Sequence, residues 1–282
     1  MTSKRAGILA LGLLVLFNLA CQWDQTQAVC RKDVDVRVRE SLADSAHWPG
    51  PVLVNPDSFR FAVLTDLHFG CPESARLGWF KSEAVRLGVD FFLVLGDITE
   101  NGRAEEYDAA RHRLDSLAIP YYATIGNHDL YQRDGWSSFL SHFGPSCYSV
   151  VIGERLRLIF LDTGDGRLGQ TQFEWLEDEL QNAEAVKVVA THFPICEGAV
   201  PLPGRLASTA ERYKLISLLE RSGVRAYIAG HTHGFRRTRI ENLDHFIAGS
   251  MAPKKLDYGR PGFLYFTVLA DSLCWDWVEY RL

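Results

Sequence analysis

Histidine and aspartate side chains occur in pairs whose spacing suits metal binding. Residues 230–234 read Gly-His-Thr-His-Gly, which places His231 and His233 one residue apart between glycines. Residues 66–68 read Asp-Leu-His and repeat that spacing. In an extended chain, side chains two residues apart point to the same face, so both members of a pair can reach one ion. Imidazole and carboxylate groups bind first-row transition metals, and these pairs therefore predict a metal centre.

Three further segments end an apolar run with a side chain that can bind a metal. FFLVLG precedes Asp97, YYATIG precedes Asn127-His128-Asp129, and VKVVAT precedes His192. Ligand sites in α/β sheets gather outside the carboxyl ends of the strands, so these segments and the two pairs are predicted to converge on one sheet edge. Together they supply enough ligands for two metals that share one carboxylate. The candidate ligands are Asp66, His68, Asp97, Asn127, His192, His231 and His233.

The elements that must position these residues alternate between two periodicities. Apolar runs typical of buried strands alternate with segments of helical spacing, and this predicts α/β layers around a largely buried sheet. The predicted strands are FRFAVLTD, FFLVLGD, YYATIGN, RLIFLDT, VKVVATH and RAYIAGH. The helical patterns include Tyr107, Ala110, Leu114 and Leu117, and also Phe173, Leu176 and Leu180. The segment from about residue 236 to residue 282 is predicted to form successive strands with little helix.

Residues 1–21 form a separate unit at the start of the chain. The basic stretch MTSKR precedes an apolar run of about fifteen residues, shorter than the roughly 20 residues that span a bilayer, so we predict a signal peptide. Cys21 follows Leu19-Ala20 as in the lipobox of bacterial lipoproteins, although Asn18 stands where that motif has an aliphatic residue. Three outcomes stay open: lipid attachment at Cys21, ordinary cleavage, or an uncleaved anchor. We expect an exported protein of the cell envelope, periplasmic or at the surface and anchored to the membrane by lipid, or otherwise secreted.

The next segment, residues 22–57, is predicted to be a tether followed by an extended lead-in. Val34, Val36 and Val38 alternate with charged residues in DVDVRVRE, which is a strand-like period, and prolines interrupt the chain between residues 49 and 56. The organised domain is predicted to comprise residues 58–282. Of six cysteines, Cys71 and Cys196 lie near the candidate ligands, where pairing and simple packing are both open.

The net charge and a glycine-rich segment bear on two classes of ligand, long nucleic acid and dinucleotides. The chain has 282 residues and a net charge of −5 without a long basic run, which argues against binding of long nucleic acid and favours a small polar or anionic substrate. Residues 164–169 match the Gly-x-Gly-x-x-Gly pattern of dinucleotide sites. Such a site also needs an acidic residue at the end of the next strand, but that strand ends in Thr191-His192-Phe193-Pro194, so a glycine-rich loop is the better interpretation.

The order of the motifs resembles the calcineurin-like metallophosphoesterase superfamily, whose signature runs D-x-H, G-D, G-N-H-[DE], H, G-H-x-H. Here these elements are Asp66-Leu67-His68, Gly96-Asp97, Gly126-Asn127-His128-Asp129, His192 and Gly230-His231-Thr232-His233. GDITENG with the following EEY further resembles the branch that contains class III cyclic-nucleotide phosphodiesterases. The resemblance implies a four-layer α/β/β/α sandwich with two mixed β-sheets.

The resemblance also implies how the ligands divide between two metals. One metal would take Asp66, His68, Asp97 and His233, and the other Asp97, Asn127, His192 and His231, with Asp97 as the bridge. The mixed nitrogen and oxygen set suits manganese, iron, zinc or nickel, and the sequence does not distinguish them.

Two neighbours of Asn127 receive roles from the same resemblance. His128 would face the substrate and stabilise the transition state or protonate the leaving alkoxide. Asp129 would lie in the second shell and orient an imidazole. Arg205, in the loop after His192, is a candidate phosphate contact.

The function implied is that of an exported phosphoesterase with a dinuclear metal centre. A metal-bridging hydroxide would attack the phosphorus of a phosphomonoester, a phosphodiester or a nucleotide. A cyclic-nucleotide phosphodiesterase is one alternative. A protein that kept the fold but only binds a phosphate ligand is the other, and the complete ligand set with His128 argues against it. The sequence leaves the oligomeric state open.

Overall fold

Two β-sheets lie face to face in the computed structural model, which describes residues 30–45, 48–71, 76–182, 186–196, 204–252 and 260–281. The predicted signal segment and Cys21 lie outside these residues. The strands are β1 Ser58–Leu64, β2 Phe91–Leu95, β3 Tyr121–Thr124, β4 Tyr148–Ile152, β5 Leu156–Phe160, β6 Val186–Ala190, β7 Ala226–Ala229, β8 Arg236–Ile240, β9 Leu243–Ile247, β10 Gly262–Leu269 and β11 Ser272–Glu279.

Both sheets are mixed: the first is parallel from β1 to the edge strand β3 and antiparallel at its other side, and the second has a parallel centre with an antiparallel strand at each edge. One sheet has the order β11-β10-β1-β2-β3, in which β1, β2 and β3 are parallel. The other has the order β4-β5-β6-β7-β9-β8, in which β5, β6, β7 and β9 are parallel. The predicted strands and the predicted strand-rich end of the chain are confirmed. The prediction of a single sheet edge is corrected, because the ligand-bearing strands divide between two sheets.

Helices cover the outer face of each sheet. The helices are α1 Val34–Ala43, α2 Leu77–Leu87, α3 Ala104–Asp115, α4 Gly135–Phe143, α5 Gln170–Glu179 and α6 Thr209–Arg221. Phe80 of α2 and Tyr107 of α3 are buried in a cluster on the first sheet, and Leu176 of α5 and Leu215 of α6 in a cluster on the second. A third apolar cluster fills the space between the sheets. The four-layer α/β/β/α architecture is therefore confirmed.

The strand-like interpretation of residues 34–38, and with it an extended lead-in there, is wrong because these residues begin helix α1. Asp33 caps the helix by accepting a hydrogen bond from Val36 N at 2.9 Å. The buried positions are Val34, Arg37, Val38 and Ser41, which is a helical spacing. Two of those four inward positions are polar, so a pattern of apolar residues alone could not reveal the helix.

The described cysteines form no disulfide. Cys71 and Cys196 are both half-buried and do not pair with each other, and Cys196 packs against the apolar cluster on the second sheet. No helix in the described part of the chain is both long and apolar enough to cross a membrane.

Candidate metal centre

The candidate ligands meet where strands of the two sheets end. Asp66 and His68 follow β1, Asp97 follows β2 and Asn127 follows β3 in the first sheet, while His192 follows β6 and the His231 pair follows β7 in the second. The backbone N–H of His231 donates to Asp66 Oδ2 at 3.1 Å and joins the two sheets directly. The structure thus brings all seven predicted ligands together, and their metal assignment stays a prediction.

A first cluster contains Asp66, His68 and His233, whose ligand atoms all lie within 4.8 Å of one another. Asp66 Oδ1 lies 3.4 Å from His233 Nε2 and 4.0 Å from His68 Nε2. The other carboxylate oxygen, Oδ2, accepts a hydrogen bond from Thr65 Oγ1 at 2.7 Å. Asp66 therefore has one oxygen held by the protein and the other directed at both imidazoles.

A second cluster contains Asp97, His192 and His231, with Asn127 beside it. His192 Nε2 lies 3.3 Å from Asp97 Oδ2, 3.1 Å from Asn127 Oδ1 and 3.2 Å from His231 Nδ1. His192 Nδ1 donates to the carbonyl of Leu95 at 2.8 Å, which leaves Nε2 as the nitrogen with a lone pair for a ligand. One imidazole nitrogen thus lies at the centre of three other candidate donors.

Asp97 lies between the two clusters. Its Oδ1 accepts from His128 N at 2.9 Å, while Oδ2 faces His192 at 3.3 Å and His68 at 4.0 Å. One carboxylate oxygen therefore faces an imidazole of each cluster. This is the arrangement expected of the bridging ligand that the sequence resemblance assigns to Asp97.

The backbone at the ligands is not extended, which corrects the reasoning from alternating faces. Asp66 and His68 have φ of 52° and 49°, Asp97 has 48°, and His231 and His233 have 70° and 59°. Residues other than glycine seldom adopt this left-handed region, at a cost of about 1–2 kcal/mol each. These turns allow the ligand atoms of one segment to face the same point. The backbone strain is therefore concentrated at the predicted metal ligands.

Glycines permit the close approach between these turns. A Cβ at Gly230 would overlap Thr65 Oγ1 and lie 2.8 Å from Asp66 Oδ2. A Cβ at Gly126 would overlap the backbone nitrogen and the carboxylate of Asp97. Glycine is therefore required at residues 126 and 230, because no larger residue fits between the strand ends.

Buried polar atoms without partners indicate that the clusters fit divalent metals. Among the described residues, Asp66 Oδ1, His68 Nε2 and His231 Nε2 are buried and have no hydrogen bond. Leaving such atoms unpaired costs about 1–3 kcal/mol each, and metal coordination would satisfy ligand atoms of this type. Imidazole and carboxylate donors are also the types that transition metals select.

Burial and mutual contact shift the pKa values of these groups in opposite directions. Burial, aided by His192, lowers the pKa of His231 to about 3. Burial opposes charge on His192 as well, but the carboxylate of Asp97 outweighs it and raises the pKa of His192 to about 9. Burial favours the neutral form of Asp66, yet His233 lowers its pKa to about 2. In the metal-free centre a proton on His192 therefore offsets part of the carboxylate charge, and a binding metal has to displace it.

His128 lies beside both clusters without belonging to the seven ligands. It begins the short 3-10 turn His128–Leu130, and its Nδ1 donates to the carbonyl of Glu100 at 2.7 Å. Its Nε2 lies 4.0 Å from Asp97 Oδ2 and its side chain is 14% exposed. The ring therefore has one nitrogen fixed by the backbone and the other open towards the clusters, which suits the predicted catalytic role.

Glu100 is a site residue to which the sequence analysis assigned no role. Its Oε2 lies 2.9 Å from His68 Nδ1, and its backbone carbonyl accepts from His128. A carboxylate behind a ligating imidazole fixes the ring orientation and raises its basicity. The only indication in the sequence is that Glu100 is an acidic residue three positions after the candidate ligand Asp97.

The role predicted for Asp129 is wrong in its detail. Among the described residues its carboxylate bonds no imidazole but accepts from backbone N–H groups, of Thr99 at 2.9 Å and Gly126 at 3.0 Å, and from Thr99 Oγ1 at 2.8 Å. Burial, reinforced by the Asp97 carboxylate, raises the pKa of Asp129 to about 6. Asp129 therefore holds the turns after β2 and β3 together and acts on the ligands through the backbone.

Two loops that carry none of the seven candidate ligands were also singled out in the sequence. In the glycine-rich loop at residues 164–169, Leu168 N and Gly169 N donate to the Glu211 carboxylate at 3.2 and 3.3 Å, so a side chain already occupies the amides that a pyrophosphate would use.

The loop that carries Arg205 lies close to the His231 turn, because a Cβ at Gly204 would lie 2.7 Å from Thr232 Cγ2. Arg205 is exposed and stays a candidate phosphate contact.

Comparison with known proteins agrees with this geometry. The family model described as calcineurin-like phosphoesterase matches residues 59–235. A probable cyclic nucleotide phosphodiesterase from Synechococcus sp. is 28% identical over 62% of this chain and 74% of its own length. The glycerophosphodiester phosphodiesterase GpdQ from Enterobacter lignolyticus is 30% identical over 63% of this chain and 72% of its own.

Among solved structures, a dimetal phosphatase from Danio rerio superposes with a TM-score of 0.64 at 16% identity, over 81% of this chain and 96% of that chain. At this identity the likeness concerns the fold alone. Taken together with the family match, it shows that the chain belongs to the calcineurin-like phosphoesterase family and is a metal-dependent phosphoric ester hydrolase.

Proposed function

We propose that this enzyme hydrolyses a small phosphodiester with two divalent metal ions, one at each cluster. The observation that carries the proposal is the position of Asp97, whose Oδ2 faces His192 of one cluster at 3.3 Å and His68 of the other at 4.0 Å. The relatives named above are phosphodiesterases, which supports a diester over a monoester.

The ligand residues would hold the metals in the division that the resemblance implies. Asp66, His68 and His233 form one set, Asn127, His192 and His231 form the other, and Asp97 serves both. Metals held there supply Lewis acidity towards a phosphoryl group and activate water as the nucleophile.

In this proposal, His128 donates a hydrogen bond to the leaving oxygen and protonates it. Because Nδ1 is bonded to the carbonyl of Glu100, it carries a hydrogen, and only Nε2 is available to the substrate. In the cationic form, Nε2–H donates to the developing negative charge and can protonate the leaving alkoxide. Nε2 lies 4.0 Å from Asp97 Oδ2, which places this donor at the edge of the centre.

A 3′,5′-cyclic nucleotide is the second candidate substrate. A relative from Nostoc sp. named 3′,5′-cyclic-nucleotide phosphodiesterase is 25% identical and covers 88% of its own length, and the Synechococcus relative has a similar name. The GpdQ relative supports a glycerophosphodiester instead. Both are small diesters, so one set of assays separates them.

The test is hydrolysis by metal-stripped protein to which manganese, iron, zinc or nickel is restored singly. Bis(p-nitrophenyl) phosphate, p-nitrophenyl phosphate, 3′,5′-cyclic AMP and glycerophosphocholine serve as substrates. We expect metal-restored turnover, with the diesters preferred over p-nitrophenyl phosphate. A preference for the monoester contradicts the diesterase proposal. Binding of two metals without hydrolysis of any ester supports the phosphate-binding alternative.

We also propose that the protein is exported and anchored at Cys21, as residues 1–21 predict. The support is the basic start, the short apolar run and the Leu-Ala-Cys sequence. Expression in a bacterial host with labelled palmitate should label the protein, and Cys21→Ser should abolish the label. Unlabelled wild-type protein in the periplasm or medium instead indicates ordinary cleavage, and retention in the cytoplasm contradicts export.

A further inference from the structure

Arg37 is 1% exposed and lies outside residues 59–235, which match the family model. Its guanidinium holds Asp162 with two bonds, from Nε to Oδ2 at 2.9 Å and from Nη2 to Oδ1 at 2.7 Å. Nη1 donates to the carbonyl of Lys32 at 2.8 Å and lies 3.6 Å from the carboxylate of Asp165. Burial disfavours the charged form, but both carboxylates outweigh it and the pKa of Arg37 is raised. Helix α1 thus carries a permanent charge into the interior.

Asp162 belongs to a short segment that continues strand β5, which we call the β5 extension (residues 161–163). The carbonyl of Leu161 accepts from Thr124 Oγ1 at 3.0 Å and from Thr191 Oγ1 at 2.9 Å. Thr163 Oγ1 lies 2.8 Å from Thr191 Oγ1. The two threonines lie at the ends of β3 and β6, so the β5 extension connects strands from both sheets although it carries no ligand itself.

Two ligands assigned to the second cluster lie close in sequence to these threonines. His192 follows Thr191, and Asn127 is three residues beyond Thr124. The N–H of Phe193, on the other side of His192, donates to Thr163 Oγ1 at 2.8 Å. The β5 extension therefore holds the backbone on both sides of His192.

Asp162 fixes the β5 extension by more than the ion pair. Its Oδ1 accepts from Gly164 N at 3.1 Å and its Oδ2 from Ser146 Oγ at 2.7 Å. Without Arg37 the carboxylate would be a buried, uncompensated charge, and it would have to move towards water or take up a proton. Either change disturbs the segment on which Thr124 and Thr191 depend.

We propose that Arg37 is a positioning residue for the second metal cluster: through Asp162 and the β5 extension, helix α1 holds Asn127 and His192 in place. The first cluster is the internal reference, because Asp66 and His68 follow β1 and make no hydrogen bond to the β5 extension among the described residues. The inference uses the two-metal assignment of the proposed function, but it concerns the geometry of this chain and not the identity of the substrate.

Arg37→Lys tests the proposal because it keeps a positive charge and removes the two-bond geometry. Manganese is titrated into metal-free protein and followed by electron paramagnetic resonance, which distinguishes a coupled pair from a single ion. We expect affinity at the second cluster to fall about 10- to 100-fold with the first retained, as for loss of a residue supporting a ligand. In the metal-free state, amide exchange at residues 124–128 and 190–193 should become roughly tenfold faster.

Glu40→Ala is the matched control on the same helix. Glu40 accepts from Trp136 Nε1 at 2.5 Å and pairs with Lys32 at 2.8 Å, so the change weakens docking of α1 but does not touch the β5 extension. We expect this variant to bind both manganese ions like the wild type. If it loses the second metal as Arg37→Lys does, general docking of the helix and not Arg37 is responsible.

A double variant covers the case in which Arg37→Lys does not fold. Arg37→Met with Asp162→Asn removes both buried charges and avoids an unpaired carboxylate. It should show the same selective loss at the second cluster. Unchanged manganese affinity and amide exchange in the folded variant overturns the proposal. Neither readout needs turnover, so an inactive wild-type enzyme would contradict the proposed function and leave this test intact.

Discussion

His128 presents only Nε2 to the metal centre, because the carbonyl of Glu100 holds Nδ1 at 2.7 Å. The ring lies beside the clusters but does not belong to the seven ligands. His128→Ala is therefore expected to lower kcat about 10²- to 10⁴-fold, the usual contribution of a general acid, while both metals stay bound. Turnover and metal content are measured on the same sample, with the exposed helical His112→Ala as the control. Loss of a metal from His128→Ala would show that its assigned role is wrong.

Glu100 acts one step further from the substrate, through His68. Its Oε2 lies 2.9 Å from His68 Nδ1, on the side of the ring opposite the first cluster. Glu100→Ala should weaken metal binding at the first cluster about 10- to 100-fold, because the imidazole loses the group that orients it. Competition with a coloured chelator measures this affinity, and the exposed Glu105→Ala provides the control. Equal affinity in Glu100→Ala and wild type would refute the role.

The convergence of the candidate site residues could be predicted from sequence, but their backbone conformation could not. Types and order placed the seven candidate ligands and His128 because each follows an apolar strand. The assumed extended geometry failed at Asp66 and His68, whose left-handed φ values depend on contacts across the sheets, such as that between Asp66 Oδ2 and His231 N. The role of Glu100 and the hydrogen-bond partners of Asp129 were missed for the same reason, because they depend on tertiary contacts and not on a sequence motif.

At the scale of elements, the turns after β2 and β3 pack so closely that side chains are excluded between them. A Cβ at Gly126 would overlap the backbone of Asp97, and a Cβ at Gly96 would lie 2.7 Å from the backbone of Gly126. Gly126→Ala should lower the free energy of unfolding by about 1–3 kcal/mol, as overpacking does, and weaken metal binding through Asp97.

Gly78→Ala is the matched control for that change. Gly78 is exposed in helix α2, where an added Cβ meets nothing within 4 Å. Alanine should leave stability unchanged or raise it by up to about 1 kcal/mol, because glycine is the poorer helix former. Urea unfolding of both variants measures the difference. Equal stability of the two would contradict the close packing of the strand ends.

Elements with strong apolar periodicity were predictable, and helix α1 was not. The central strands are buried on both faces, so continuous runs such as FFLVL reveal them. In α1 the inward face includes Arg37 and Ser41, whose partners Asp162 and Ser146 lie more than one hundred positions away in the chain. Such a helix is specified by tertiary contacts, and the alternation of its valines with charged residues is the pattern expected of a strand.

At the scale of the whole molecule, the metal centre lies across the boundary between two sheets. Strand order along the chain does not reveal this division, because the first sheet takes β1, β2 and β3 and then β10 and β11, while β4 to β9 form the other sheet. The contact of His192 Nε2 with Asp97 Oδ2 at 3.3 Å and that of His233 with Asp66 at 3.4 Å both cross from one sheet to the other. Bound metals would therefore crosslink the two halves of the sandwich.

Metal removal should consequently destabilise the whole fold and not only the site. A ligand that binds only the folded state stabilises it by about 2.7 kcal/mol at one hundred times its Kd, and a domain of this size shifts by roughly 2–4 °C per kcal/mol. We expect a chelator to lower Tm by about 5–10 °C, and restored manganese or zinc to recover it. Asp97→Asn, which removes charge from the proposed bridging position, should melt at nearly the same temperature with and without chelator. If the chelator lowers the Tm of wild type and Asp97→Asn equally, a crosslink through this carboxylate is contradicted. If it leaves the Tm of wild type unchanged, metal binding is not coupled to the stability of the sandwich.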